Sequence, residues 1–289
     1  MGKSVVTFTA PYLDGVRPTP GRVLERVDSH GKHLEFEWDD GIVLHTHMRM
    51  TGSWHVYRPG ERWRRPQREM VVSVEVADWH AVCFNAPVVE TYRRLDKRRH
   101  PGAGHLGPDL CKDNPDIDEC LRRIERFIDP AEPISEVMLD QRIACGVGNV
   151  FKSEVLWRCG ASPFTPVSAV SEAQRRDLLE AAADMLRFNR DRSRRATAPD
   201  AIAGVAVYGR NGNPCPRCGD TVRARKTGPY LRATYWCPTC QHHEADIPRM
   251  EVTPSGLVRP LVADPHPAAF LLLSHLPTRK VEFFDDEAV

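Results

Sequence analysis

No stretch of this sequence is long and apolar enough to cross a bilayer as a helix. The longest uninterrupted apolar run, Ala268 to Leu273, is six residues, against the ~20 that a spanning helix needs. The opening MGKSVVTFTA has no apolar leader segment, so no secretory signal is expected. These absences predict a cytoplasmic protein with no membrane partner. An even cysteine count is also missing: there are nine. Without a leader, that argues against a disulfide framework and for a reducing compartment. Charge excess is missing too, with 40 Lys+Arg against 39 Asp+Glu. Apolar residues make up 41%, too many for a disordered chain, and the length predicts about two domains.

The balanced total hides local excess. Residues 207–236 hold Arg210, Arg217, Arg223, Arg225, Lys226 and Arg232 against Asp220 alone. Residues 58–68 hold five arginines against Glu61, and residues 93–99 hold Arg93, Arg94, Lys97, Arg98 and Arg99 against Asp96. Together the three clusters could make one face for a polyanion. Taken singly, each also reads as a solvated loop.

Residues 3–92 read as strands. KSVVTFT, RVLERVDSHGKHLEFEW, IVLHTHMRM, GSWHVYR, EMVVSVEVAD and HAVCFNAPVVETY are rich in β-branched and aromatic residues, with turn signals such as Asp39-Asp40-Gly41 between them. A β-sandwich or barrel is expected. The period then changes. Ile117 to Ile128 has helical spacing behind a possible Asp116 cap. Further helices are expected over 134–142, over 150–157, and from a Ser171–Gln174 capping box to about Asn189. Residues 246–289 carry six prolines and an acidic end and read mostly as a loose tail.

Cys215-Pro-Arg-Cys218 and Cys237-Pro-Thr-Cys240 flank an eighteen-residue gap. Each CxxC turn can give two thiolates to one ion, so structural zinc is expected on Cys215, Cys218, Cys237 and Cys240. An iron centre or a redox pair are the competing readings. The local apolar content is small, so the metal would be a folding requirement. Cys83, Cys111, Cys120, Cys145 and Cys159 are expected to be small core residues. Gly146-Val-Gly-Asn149 can turn tightly and present amides to a phosphate, and it also fits a plain helix–helix turn. Arg232, between the cysteine pairs, would be a rigidly placed phosphate fork or a solvated arginine.

In this order, a β-rich start, LDQRIACGVGNVFKSEVL and YLRATYWCPTCQ closely resemble the formamidopyrimidine-DNA glycosylase and endonuclease VIII family of base-excision repair enzymes. The resemblance runs from about Gly2 to Gln241, and HTHMRMTGSWHV and HLGPDL place it nearer the endonuclease VIII branch. It implies an α+β multidomain protein: an N-terminal β-sandwich over 1–112, a helix-two-turn-helix domain over 113–206, a four-cysteine zinc-finger β-hairpin over 207–245 and the tail. It implies removal of oxidised bases from double-stranded DNA and strand cleavage at abasic sites by elimination, in a bacterial, nucleoid-associated monomer. It also implies the site residues. Lys32 would contact the lesion phosphate and serve the first elimination. Arg232 would bind lesion phosphates and assist the second. Asn149 and His47 would contact phosphate, and Arg49 and Met50 would fill the gap left by an extruded base.

One part of the family pattern has no match. The family opens Met-Pro-Glu, and the exposed proline amine forms a Schiff base with the sugar while the Glu handles protons. Here the chain reads Met1-Gly2-Lys3-Ser4, and Gly2-Lys3 already matches the segment after the family's first helix. The favoured expectation is a start placed too far downstream. A lesion-binding protein without its nucleophile is the alternative, and a zinc-ribbon transcription or translation factor is a more distant one. The 289 residues alone are expected to bind damaged DNA and cut it poorly.

Overall fold

The computed structural model describes residues 2–49, 51–100, 104–192, 194–198, 204–241, 250–252 and 258–260. The β-branched segments of the first third form eight strands: β1 (Lys3–Thr9), β2 (Val23–His30), β3 (His33–Trp38), β4 (Ile42–His47), β5 (Ser53–Tyr57), β6 (Met70–Val76), β7 (His80–Phe84) and β8 (Val88–Arg93). They are hydrogen-bonded in the order β5-β7-β6-β1-β2-β3-β4-β8, every pair antiparallel. β1 pairs with β2 on one side and β6 on the other, and its register on β6 shifts between Val5 and Thr7. The strands on either side of β1 close over one core containing Val5, Leu24, Phe36, Trp38, Leu44, Val72, Val74 and Cys83. Each large side chain buried there contributes about 1.5–3 kcal/mol. The ring of Trp54 lies 4.8 Å from that of Phe36, and its indole N–H donates to Thr46 Oγ1 at 3.1 Å. The Asp39-Asp40-Gly41 turn forms as expected: Gly41 has φ +75°, and Asp40 Oδ1 accepts from the Ile42 amide.

Four helices follow: α1 (Ile117–Phe127), α2 (Ile134–Val137), α3 (Asn149–Arg158) and α4 (Glu172–Arg190). Asp116 caps α1 by accepting from the Glu119 amide, and Ser171 and Gln174 form the full capping box on α4. The helix expected over 134–142 is shorter, a single turn. The polar run after it takes its own hydrogen bonds: Asp140 Oδ1 accepts from the Arg142 amide at 2.8 Å, and Gln141 Nε2 donates to the Leu139 carbonyl at 3.0 Å. Such local side-chain bonds compete with helix continuation. The apolar faces of all four helices meet in one cluster that includes Ile124, Ile134, Val155, Leu156, Leu178 and Leu186.

β9 (Arg223–Thr227) and β10 (Arg232–Trp236) then pair as a hairpin. Its small core of Ala206, Val207, Cys215, Val222 and Cys237 is completed by Trp157 of α3. A separate unit, residues 243–289, contains β11 (Met250–Val252) paired with β12 (Val258–Pro260). The remainder of the expected tail lies outside the described residues. The α+β class, the N-terminal antiparallel sheet and the cysteine hairpin are as expected.

Candidate nucleic-acid interface and metal centre

The turn between β2 and β3 sits directly on the Gly146–Asn149 loop. A Cβ on Gly31 would come within 2.7 Å of Cys145 Cβ and 2.8 Å of the Gly146 amide. Only glycine, here at φ +59°, permits that approach. His30 Nε2 donates to the Gly107 carbonyl at 2.7 Å, joining the same two regions. The contact delivers Lys32, whose Nζ donates to the Val147 carbonyl at 3.1 Å. Gly148 leaves room for it: a Cβ there would lie 2.6 Å from Lys32 Nζ. Burial, and then the nearby charge of Arg232, bring the Lys32 pKa down to about 8.

Asn149 is the first residue of α3, and its Nδ2 donates to the Ala233 carbonyl at 2.8 Å. Its Oδ1 is buried without a partner among the described residues. The residue expected to face phosphate therefore also ties α3 to β10, with Arg232 one residue from the tie. Arg232 is exposed, with its guanidinium 5.3 Å from the Tyr230 ring centre.

Beneath the hairpin lies a group the sequence reading missed. Lys152 is fully buried and donates to Thr234 Oγ1 at 2.7 Å. Thr234 and Thr227 hydroxyls are 2.7 Å apart, and Thr227 donates to Glu136 Oε1 at 2.9 Å. A directional chain thus runs from Lys152 to Glu136, tying α2, α3 and both hairpin strands. Burial lowers the Lys152 pKa to about 8; Glu136 pulls it up and Arg232 pulls it down. Its neighbour Glu154, also fully buried, accepts from Thr197 Oγ1 and from the amides of Ala206, Val207 and Tyr208 at 2.6–2.8 Å. No sequence period marks Lys152, because Lys152 to Leu156 are buried without a break.

His47, at the end of β4, stacks on His33 with ring centres 4.3 Å apart. Burial, then the charges of Lys32 and Arg49, lower its pKa to about 4, so its imidazole is neutral at pH 7. Arg49 is exposed with φ +45°, a left-handed backbone uncommon outside glycine and found at strained functional turns. Met50 lies outside the described residues. Lys32, His47, Asn149 and Arg232 are thus brought together. Several cations of the other basic clusters have partners elsewhere. Arg94 donates to Glu37 at 2.6 Å, Lys97 pairs with Glu35, Arg65 pairs with Glu69, and Arg58 covers Trp79.

The four motif cysteines converge. Cys215 and Cys240 Sγ atoms are 3.9 Å apart, and those of Cys218 and Cys237 are 3.4 Å apart; all four lie within 4.8 Å of one another. A tetrahedral ion with metal–sulfur bonds of 2.3 Å sets its sulfurs ~3.8 Å apart, so this set could hold a metal ion. Burial pushes the Cys215 thiol up, but the Arg217 and Cys218 amides and the Trp157 indole outweigh it, bringing the thiol to about 7. Burial instead pushes the Cys237 thiol up to about 11 and the Cys240 thiol up as well, so Cys215 is the ligand readiest to lose its proton to a metal. Of the remaining cysteines, Cys83, Cys120 and Cys145 are buried as expected, Cys111 is half-buried, and Cys159 is exposed, at the C-terminal end of α3.

Residues 7–92 match the formamidopyrimidine-DNA glycosylase N-terminal domain, and residues 106–193 match the formamidopyrimidine-DNA glycosylase H2TH domain. The protein named probable endonuclease 8 2 of Streptomyces coelicolor is 38% identical over 231 residues, covering 79% of this chain and 82% of its own. A DNA-(apurinic or apyrimidinic site) lyase of Mycolicibacterium smegmatis is 36% identical over 224 residues, 76% of this chain and 83% of its own. The solved structure of Lactococcus lactis formamidopyrimidine-DNA glycosylase with DNA containing an abasic site superposes with a TM-score of 0.67 at 21% identity. It covers 84% of this chain and 93% of that one, and it establishes the fold. Among the described residues, no helix is long and apolar enough to cross a membrane. The sheet, the two-glycine turn and the cysteine hairpin therefore have a common origin, and the chain belongs to the formamidopyrimidine-DNA glycosylase family.

Proposed function

We propose that this protein is a base-excision repair DNA glycosylase with abasic-site lyase activity, removing oxidised bases and cleaving the strand by elimination. The observation that carries it is the convergence of Lys32, Asn149 and Arg232 from three separate segments, in a chain of this family. A base within a duplex is out of reach of any side chain, so the nucleotide must be extruded, at a few kcal/mol. Phosphate contacts on both sides offset that cost. Lys32 and Arg232 take the phosphates flanking the lesion, where their charge stabilises a departing phosphate during elimination. Asn149 and the first amides of α3 hold a neighbouring phosphate. The neutral His47 donates one hydrogen bond. Arg49 and Met50 enter the stack where the base has left.

Zinc is the metal of Cys215, Cys218, Cys237 and Cys240. With four protein thiolates it leaves no position for substrate, so it fixes the hairpin that carries Arg232. The partner is double-stranded damaged DNA, bound by a monomer in the bacterial cytoplasm. The functional segments are 1–112, 113–206 and 207–245.

The test uses duplexes with and without an abasic site. The chain is assayed as it stands and with an N-terminal Met-Pro-Glu helix added. Both forms should prefer the abasic duplex, and the extended form should be trapped by borohydride and cut the strand. Preference without trapping or cutting in the extended form would favour a lesion-binding protein. Equal affinity for both duplexes would overturn the proposal.

A further inference from the structure

We propose that His45, Glu90 and His100 form a second metal site, separate from the four cysteines, that takes a divalent transition-metal ion such as zinc. Three segments build it. The register of β4 on β8 sets His45 directly opposite Glu90. The 3₁₀ turn Arg94–Arg99 then folds back and ends at His100, whose amide donates to the Lys97 carbonyl at 3.1 Å. That turn is held against the sheet by Arg94 on Glu37 and Lys97 on Glu35. The Tyr92 ring lies 4.5 Å from that of His100.

The donor atoms already converge. His45 Nδ1 is 2.9 Å from Glu90 Oε1, and His100 Nε2 is 3.5 Å from Glu90 Oε2. One ligand atom from each residue lies within 4.8 Å of the others. A tetrahedral ion with bonds of about 2.0–2.1 Å sets its ligand atoms ~3.3 Å apart, so closure needs side-chain adjustments of at most about 1.5 Å at the widest pair. Two imidazoles and a carboxylate form a set that zinc takes with three protein ligands and one open position. The burial suits this: the His45 side chain is 1% exposed, that of His100 12% and that of Glu90 38%, leaving one side for water.

The surroundings match a ligand histidine as well. Such a residue carries its other ring N–H into a hydrogen bond that fixes the tautomer. His45 Nε2 is 2.8 Å from His33 Nδ1; with Nδ1 on the metal, Nε2–H donates to His33. His33 in turn stacks on His47. An ion at one end of this row would therefore fix the stack whose other end stands beside Lys32. The competing arrangement has no ion, with His45 Nδ1–H donating to Glu90. The two differ in stoichiometry.

The experiment uses the untagged chain of 289 residues, equilibrated with Zn2+ and assayed for bound metal. Two equivalents are expected. His100→Ala and Glu90→Gln should each keep the cysteine-held equivalent and lose the other. His33→Asn should weaken the second about 10- to 100-fold. With Co2+, the first equivalent should show sulfur-to-metal charge transfer, and the second should add ligand-field bands alone. Retention of the charge-transfer bands, and a melting temperature matching that of the wild type carrying one equivalent alone, show that His100→Ala is folded. Saturation of the wild type at one equivalent, or a second equivalent unaltered in both His100→Ala and Glu90→Gln, would overturn the proposal.

Discussion

Lys32 is held near pKa 8 by burial and by Arg232, and this gives it a pH signature with a definite sign. In the unfolded chain it titrates near 10.5. Between about 8 and 10.5 the unfolded state binds more protons, so this residue makes the free protein more stable as pH rises. A DNA phosphate beside Lys32 acts the other way, raising its pKa, so binding takes up a proton above pH 8. DNA affinity should then fall as pH rises through 8, by at most about tenfold per unit from this one group, and stay flat below. Lys152 also titrates near 8. The check is the difference between the wild type and Lys32→Arg, which removes one proton from the slope and leaves the contribution of Lys152. Equal slopes would refute the assignment. Gly148 tests the same site sterically. Its φ of −118° suits any residue, but a Cβ would strike Lys32 Nζ. Gly148→Ala should cost about 1 kcal/mol or less as a poorer helix cap. It should weaken DNA binding about tenfold or more, because a charge-assisted hydrogen bond is displaced. Titration of labelled duplex beside a thermal melt separates the two effects.

At the scale of elements, the hairpin of β9 and β10 is the part most dependent on a single feature. Its own apolar core is small, and much of its anchorage is polar: Asn149 to Ala233, Lys152 to Thr234, and Thr227 to Glu136, beside the edge contact of Trp236 on Phe164. Cys237→Ser, or a strong chelator, should remove the metal and make the amides of 209–241 exchange rapidly with solvent. The amides of β1 to β8 should stay protected, because their core is independent. Hydrogen exchange read by mass spectrometry checks this, and protection of the hairpin without metal would contradict it. The same elements show what sequence could reveal. The strands, the Asp116 and Ser171 caps and the CxxC spacing are local signals, and all are legible. Lys152 and Glu154 were not, because α3 is enclosed on all sides: Lys152, Ser153, Glu154, Val155 and Leu156 are consecutive and buried. A helix with no wet face has no polar–apolar period to betray an ion inside it. The length of α2 was missed because apolar spacing continues through residues whose side chains had already bonded their own backbone.

For the whole molecule, a net charge of +1 provides no general attraction to a polyanion, so DNA affinity must come from a few placed cations. The structure narrows these, since Arg65, Arg94 and Lys97 pair with carboxylates while Arg232 is exposed and lies within electrostatic reach of Lys32. Each cation that neutralises a phosphate releases counterions and adds about −0.9 to the slope of log K against log salt. A neutral donor adds affinity without slope. His47, with its pKa near 4, is neutral at pH 7, whereas Arg232 is always charged. Arg232→Ala should therefore weaken binding to an abasic duplex and flatten the salt slope by about 0.9. His47→Gln should weaken binding with the slope unchanged. Fluorescence anisotropy at several salt concentrations reads both. A slope that flattens equally in the two variants would show that the bound phosphate protonates His47. A slope altered in neither would remove Arg232 from the phosphate contacts.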